Sequence, residues 1–93
     1  MNMAGFRLTK PYSMPKEDLR QAAQRLADQL EREHGVRSRW EGDSVRLKGS
    51  GFDGKLSFHD GLVDVSVTLG LLASAFKVPL RAEVQRYLDE MIS

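Results

Sequence analysis

The spacing of apolar residues changes period along the chain, and each change marks a predicted element. Phe6 and Leu8 alternate with polar residues, which is typical of a half-buried strand. Over residues 19–30, apolar residues recur at steps of three and four, which predicts an amphipathic helix of about five turns. Pro15 suits the start of this helix because its missing N–H would have no partner there, and Gly35 suits its end.

The middle of the chain alternates with period two, which predicts four further strands. The alternating segments are residues 36–41, 44–48, 55–59 and 63–69. Gly42-Asp43 fits a two-residue type II′ hairpin turn, and Asp60-Gly61 is the strongest short-range hairpin signal in the chain. We expect residues 49–54 to form a longer, flexible glycine-rich link.

A second amphipathic helix is predicted after Gly70. Its apolar positions follow one another at steps of four: Leu72, Phe76, Leu80, Val84 and Leu88, with Met91 after them. Pro79 falls inside this pattern and removes one backbone hydrogen bond. Because no good N-cap residue precedes Pro79, we predict one kinked helix rather than two, with Phe76 and Met91 in the core.

These elements predict a single α+β domain over residues 1–93, in the order β-α-β-β-β-β-α. We expect a two-layer sandwich, with a mostly antiparallel sheet of about five strands and both helices on one face. The pattern leaves the place of the first strand in the sheet open. A chain of 93 residues can fold alone, but dimerisation would bury more apolar surface, so a homodimer is a candidate assembly.

The first predicted hairpin concentrates positive charge on the outer face of the sheet. A turn at Gly42-Asp43 sets Arg39 opposite Arg46 and, two residues further on, another pair of cations opposite each other. Like charges in such positions destabilise a sheet by about 0.2–1 kcal/mol per pair. The candidate residues for binding a partner or an anion are Arg37, Arg39, Arg46, Lys48 and Lys55. Arg7 can add to this face, whereas the acidic residues nearby are expected on turns: Asp43, Asp53 and Asp60.

Two interpretations of this basic face stay open. Long cationic side chains can extend into water and protect exposed strands from aggregation. Alternatively, they form a surface for anions or for an acidic partner. Nucleic acid is not favoured, because Phe6, Trp40 and Phe58 fall in the inward phase and leave no aromatic residue for stacking on bases.

Composition and motifs argue against catalysis, and we predict neither a cofactor nor a metal site. The chain has 14 Lys and Arg against 13 Asp and Glu, a net charge of +1, which excludes a strongly basic arm or an acidic tail. It has no Cys, which excludes thiol chemistry, and its two His are too few for a His-rich metal cluster. Residues 49–54 match G-x-G-x-x-G, but a strand pattern follows where a dinucleotide site needs a helix, and no βαβ unit surrounds the motif. His59-Asp60 has no nucleophile placed beside it.

The chain also lacks a predicted membrane segment. Its longest uncharged run, residues 65–76, has 12 residues and includes polar ones. A membrane span needs about 20 predominantly apolar residues. We therefore expect a soluble cytoplasmic protein.

Residues 35–43, with the sequence GVRSRWEGD, resemble the polyhydroxyalkanoic acid system family, small proteins encoded in granule-region gene clusters. Residues 12–15, 51–54 and 69–72 also match, in the same order and spacing. Position 12 is Tyr where the family pattern has His. The resemblance implies a bacterial cytoplasmic protein linked to polyhydroxyalkanoate storage, and it supplies no catalytic residues.

Three functions are compatible with this sequence. The first is a non-enzymatic accessory protein that acts at storage granules by binding a protein or the polyester granule surface. The second is a carrier for an acyl chain, in a cavity between the sheet and the C-terminal helix lined by Val65, Val67, Phe76 and Leu80. The third is an anion- or nucleic-acid-binding module that uses the basic face.

Overall fold

The computed structural model describes residues 4–93, which form one open antiparallel sheet and two helices. The strands are β1 (Ala4–Pro11), β2 (Arg37–Glu41), β3 (Ser44–Gly49), β4 (Phe52–His59) and β5 (Leu62–Leu69). Helix α1 (Lys16–His34) lies between β1 and β2 in sequence, and α2 (Lys77–Met91) follows β5. This order confirms the predicted α+β fold. Neither helix in the described part of the chain is long and apolar enough to cross a membrane.

The strand order across the sheet is β1-β5-β4-β3-β2. The sequence had left the place of β1 open, and the structure pairs it with β5, with Phe6 opposite Val67 and Pro11 opposite Leu62. Strands β1 and β2 are therefore the two edges. Pro11, which has no N–H to donate, lies at the end of an edge strand, where a sheet tolerates it.

Both helices pack on the same face of the sheet. The apolar stripe predicted for α1 is buried along its whole length: Leu19, Ala22, Ala23, Leu26, Ala27 and Leu30. Helix α1 packs over β2 and β3, and α2 packs over β1. The buried side chains of the sheet join the same core cluster, so the opposite face of the sheet is open to solvent.

The two predicted hairpin turns are confirmed, but the third link is shorter than expected. Gly42 has a φ of 61°, and Asp60 and Gly61 have φ values of 52° and 78°, so each turn uses the positive φ that its type requires. Residues 49–54 were expected to form a flexible link, and this is wrong. Strand β4 begins at Phe52, whose side chain is buried, so residues 50–51 alone make the turn.

The prediction of one kinked C-terminal helix is also wrong. A 3-10 turn at Ser74–Phe76 precedes α2, and Pro79 lies in the first turn of α2, where its missing N–H breaks no helical hydrogen bond. As a result, Leu72 and Phe76 are exposed, at 93% and 59% of their surface, instead of belonging to the core. The later apolar positions are buried as predicted, at Leu80, Val84 and Leu88, with Met91 packed against the core.

Candidate functional site

The open face of the sheet brings the predicted cations together in rows that run across the strands. Arg39 on β2 lies opposite Arg46 on β3, which lies opposite Lys55 on β4. Neighbouring strands are about 4.8 Å apart. We call these three residues the cation row, in which positive charges follow one another on three adjacent strands. The same line continues through Ser66 on β5 to Arg7 on β1.

A second line of outward side chains runs parallel to the cation row, two residues further along each strand. Arg37 is opposite Lys48, as the register predicted, and Lys48 is opposite Asp53. All of the predicted cations are exposed on this one face. Asp53 was expected on a turn, and this is wrong, because the early start of β4 places it on a strand beside Lys48.

The acidic side chain at the turn of this hairpin is engaged by the helix layer. Asp43, at the turn, forms ion pairs with Lys16 and Arg20 of α1, and the Arg20 Nη1 lies 3.4 Å from its Oδ1. None of the ion pairs found among residues 4–93 involves a member of the cation row, Arg37 or Lys48. These five cations are therefore free of ion pairs within the described part of the chain, on a face that also carries Glu41 and Asp53.

Arg7 lies on the same face but is paired. Its Nε donates a hydrogen bond of 3.0 Å to Asp64 Oδ1, and its Nη2 donates a second to Oδ2. These hydrogen bonds and the charge of the guanidinium hold the pKa of Asp64 below its ordinary value, although partial burial opposes the shift. Arg7 therefore contributes less free positive charge to the surface than its position suggests.

This pair predicts a pH-dependent contribution to stability. A carboxyl whose pKa is lowered by folding stabilises the fold above its unfolded pKa of about 4, and the contribution is lost as the pH falls through the lowered value. Asp64→Asn should therefore lower the free energy of unfolding at pH 7 by a modest amount, and the difference from the parent should shrink below pH 4. Urea denaturation at several pH values measures it.

A double-mutant cycle controls this experiment. Arg7→Met should reproduce the effect of Asp64→Asn at pH 7, and the double variant should lose less than the sum of the two. The coupling should disappear in strong acid, when the carboxyl is protonated. A coupling of the same size at neutral and at strongly acidic pH would contradict the assignment.

An open groove of about 450 Å³ lies on the face beside the β2 edge. Its lining residues are Arg37, Ser38, Arg39, Glu41, Arg46 and Lys48. Guanidinium groups donate paired hydrogen bonds that match the geometry of a carboxylate or a phosphate, and lysine adds a mobile point charge. The groove therefore offers an anion several hydrogen-bond donors at once. The carboxylate of Glu41, which also lines the groove, repels an anion from its own position.

Trp40 fixes the position of β2 under this groove. Its indole Nε1 donates a hydrogen bond of 2.6 Å to Gln24 Oε1, and the Arg20 guanidinium lies 4.3 Å from the ring centroid. Phe58 meets the ring edge-on, with centroids 6.2 Å apart. These contacts bind the edge strand to α1 and β4, so Trp40 supports the fold.

A cluster that sequence analysis missed joins the C-terminal end of α1 to the middle of α2. Glu33, His34 and Glu83 place one ligand atom each within 4.8 Å of one another, so their side chains have the donor types of a metal site. Partial burial raises the pKa of Glu83, but hydrogen bonds with Gln29 and His34 and the charge of His34 oppose this, and the pKa lies below its ordinary value. Gln29 Nε2 donates to Glu83 Oε2 at 2.8 Å. These contacts link α1 to α2, and helix periodicity could not predict them because they depend on how the helices pack.

The cavity expected for an acyl chain is small. A crevice of about 160 Å³ lies at the N-terminal end of α2, and Phe76 and Leu80 line it as predicted. Val65 and Val67, expected in the same lining, are buried in the core cluster instead. Pockets for small ligands usually have volumes of about 300–1,000 Å³, so this crevice does not favour a carrier.

Together, the fold and the face define an α+β protein with an open, basic sheet surface. The model of the family described as "Putative polyhydroxyalkanoic acid system protein" matches residues 7–92, and the chain belongs to this family, as its short motifs indicated. No curated protein and no solved structure gives a significant match. The family description names a polyhydroxyalkanoic acid system and no enzymatic activity.

Proposed function

We propose that this protein is a non-enzymatic accessory protein of polyhydroxyalkanoate storage in the bacterial cytoplasm, where it binds an acidic protein on the storage granule. The cation row is the surface that makes this contact. The observation that carries the proposal is the arrangement of Arg39, Arg46 and Lys55 on three adjacent strands without a carboxylate paired to any of them.

The energetics of the sheet support a binding role. Each pair of like charges directly opposite in the register costs about 0.2–1 kcal/mol. A surface that needed only solubility could mix both signs and avoid this cost. A face that keeps cations together on neighbouring strands gains long-range attraction for an acidic partner, which accelerates encounter and disfavours basic partners.

The absence of a catalytic arrangement on this face supports a non-enzymatic role. His59 is exposed at the end of β4, beside the hairpin turn. Among residues 4–93 it takes part in none of the side-chain hydrogen bonds that would orient it for proton transfer. The remaining outward groups of the groove are guanidinium, ammonium, hydroxyl and carboxylate side chains in contact with solvent, which suit recognition of an anion.

Co-sedimentation with granules from polymer-accumulating cells tests the proposal. Replacing the cation row as Arg39→Gln/Arg46→Gln/Lys55→Gln should lower the amount recovered about tenfold. Three exposed charge contacts contribute about 0.5 kcal/mol each, and 1.4 kcal/mol corresponds to a factor of ten. Recovery of the parent protein should fall as salt concentration rises, because exposed charges are screened.

A control variant removes the same number of positive charges, three, from the helices instead of the sheet. Arg25, Arg32 and Arg86 are exposed on the two helices, and replacing all three by Gln should leave recovery unchanged. Equal losses in both triple variants would show that net charge, not the cation row, governs binding. Equal recovery of the parent protein from polymer-free cells would reject granule association itself.

A further inference from the structure

The segment between β5 and α2, together with the first turn of α2, exposes large apolar side chains. Leu71, Leu72, Phe76 and Val78 have 75%, 93%, 59% and 77% of their surface exposed. We call these four residues the apolar knuckle. Leu71, Leu72 and Phe76 line one shallow groove with the small residues Ser50, Gly51, Gly70 and Ala73. Contiguous apolar surface of this kind marks a site of interaction more often than single exposed residues do.

Hydrogen bonds hold the knuckle in this shape. The N–H of Gly70 donates to Gly51 O at 2.8 Å, and the N–H of Ala73 donates to Gly70 O at 3.1 Å. Ser74 Oγ donates to Leu71 O at 2.8 Å, and the N–H of Phe76 donates to Ala73 O. Ala73 packs against the core while its neighbours point outwards. The apolar side chains are therefore presented by a defined turn.

The charges along the chain segment that carries the knuckle are of one sign. No Asp or Glu occurs between Asp64 and Glu83, and the charged residues in that interval are Lys77 and Arg81. Lysine and arginine side chains donate hydrogen bonds and accept none. The knuckle thus combines apolar groups with side-chain donors in a stretch free of carboxylates.

This combination complements a polyester. The surface of a polyhydroxyalkanoate presents alkyl groups and ester carbonyls, which accept hydrogen bonds, and offers no donors along its chain. A second copy of this protein is a poorer fit, because two like-charged knuckles would face each other. The knuckle also exposes on the order of 500 Å² of apolar surface, less than the ~800 Å² per partner of a standard protein interface.

We propose that the apolar knuckle is the site at which this protein contacts the polyester itself. This inference rests on the granule association proposed above and names the granule component that a second surface recognises. The knuckle adjoins the β3–β4 turn, one step along the sheet from the line of Arg37 and Lys48. One molecule can therefore contact the polymer with the knuckle while the cation row binds an acidic protein.

Binding to lipid-free and protein-free particles of amorphous poly(3-hydroxybutyrate) tests the inference. At about 1 M salt the screening length is about 3 Å, so contacts of the cation row contribute little. The parent protein should still bind under these conditions, and Leu72→Ser/Phe76→Ser should bind at least tenfold more weakly. Leu62→Ser is the matched control, because Leu62 is a leucine 41% exposed on the open face of the sheet, and its binding should equal that of the parent.

Several results would overturn the inference: equal binding of the knuckle variant and the parent, failure of the parent to bind polymer, or stronger binding to phosphatidylglycerol vesicles than to polymer. A parent dimer that the knuckle variant loses, seen by sedimentation equilibrium, would assign the knuckle to contact between copies. The cation-row variant should bind pure polymer as the parent does. The knuckle variant could lose polymer binding while the cation-row variant is recovered with granules as well as the parent protein. In that case the function proposed above fails and this inference stands.

Discussion

Replacing Phe58 by alanine is expected to lower the free energy of unfolding by about 3–5 kcal/mol. Phe58 is 2% exposed, lies on the central strand β4 and supports Trp40 at the edge of the sheet. The substitution removes a buried ring and leaves a cavity that the surrounding strands can fill only partly. Domains of this size are stable by about 5–14 kcal/mol, so the loss takes a large part of the total. Urea denaturation followed by far-UV circular dichroism measures it.

The matched control is the same substitution at an exposed phenylalanine. Phe76 is 59% exposed, and Phe76→Ala should change the free energy of unfolding by no more than about 0.5 kcal/mol. The slope of the unfolding free energy against urea should stay that of the parent protein in both variants. A large loss at Phe76 would mean that this side chain is packed in the core, and it would remove the knuckle as a free surface.

The parts of the structure that follow from local chemistry could be predicted from the sequence. Gly42 at a two-residue turn fixes which residues lie opposite each other, and a strand's two-residue period then fixes the face on which each side chain lies. The opposition of Arg39 to Arg46 follows from these two rules alone. The buried stripe of α1 was equally clear, because apolar residues repeat at helical spacing over its whole length.

The parts that depend on contacts distant in sequence could not be predicted in this way. Arg7 and Asp64 are 57 residues apart, and their ion pair exists because β1 lies beside β5, a choice that no local pattern encodes. Apolar spacing also failed to locate the start of α2. The four-residue ladder continues through Leu72 and Phe76 whether or not the chain is helical there, so it could not distinguish a core position from the exposed knuckle.

Replacing Arg46 by glutamate is expected to change stability and binding in opposite directions. Arg46 lies between Arg39 and Lys55, so the substitution puts a carboxylate between two cations and converts two repulsive cross-strand pairs into attractive ones. The free energy of unfolding should rise by about 0.5–1.5 kcal/mol. Binding to granules should fall by more than tenfold, because one contact is lost and a repulsive charge takes its place. Urea denaturation and granule co-sedimentation measure the two effects.

These opposite signs separate the two interpretations of the basic face. If the cations serve only to keep an open sheet soluble, Arg46→Glu should stabilise the protein and leave binding unchanged. If they form a binding surface, the unfavourable like-charge pairs are retained for the partner, and removing one restores stability at the expense of function. Arg86→Glu makes the same charge change on the exposed side of α2, at helical spacing from Glu83, Asp89 and Glu90. It should lower the free energy of unfolding by about 0.2–0.5 kcal/mol per like-charge pair and leave binding unchanged. A gain in stability together with a loss of binding, confined to the Arg46 variant, therefore identifies this face as a surface that acts on a partner.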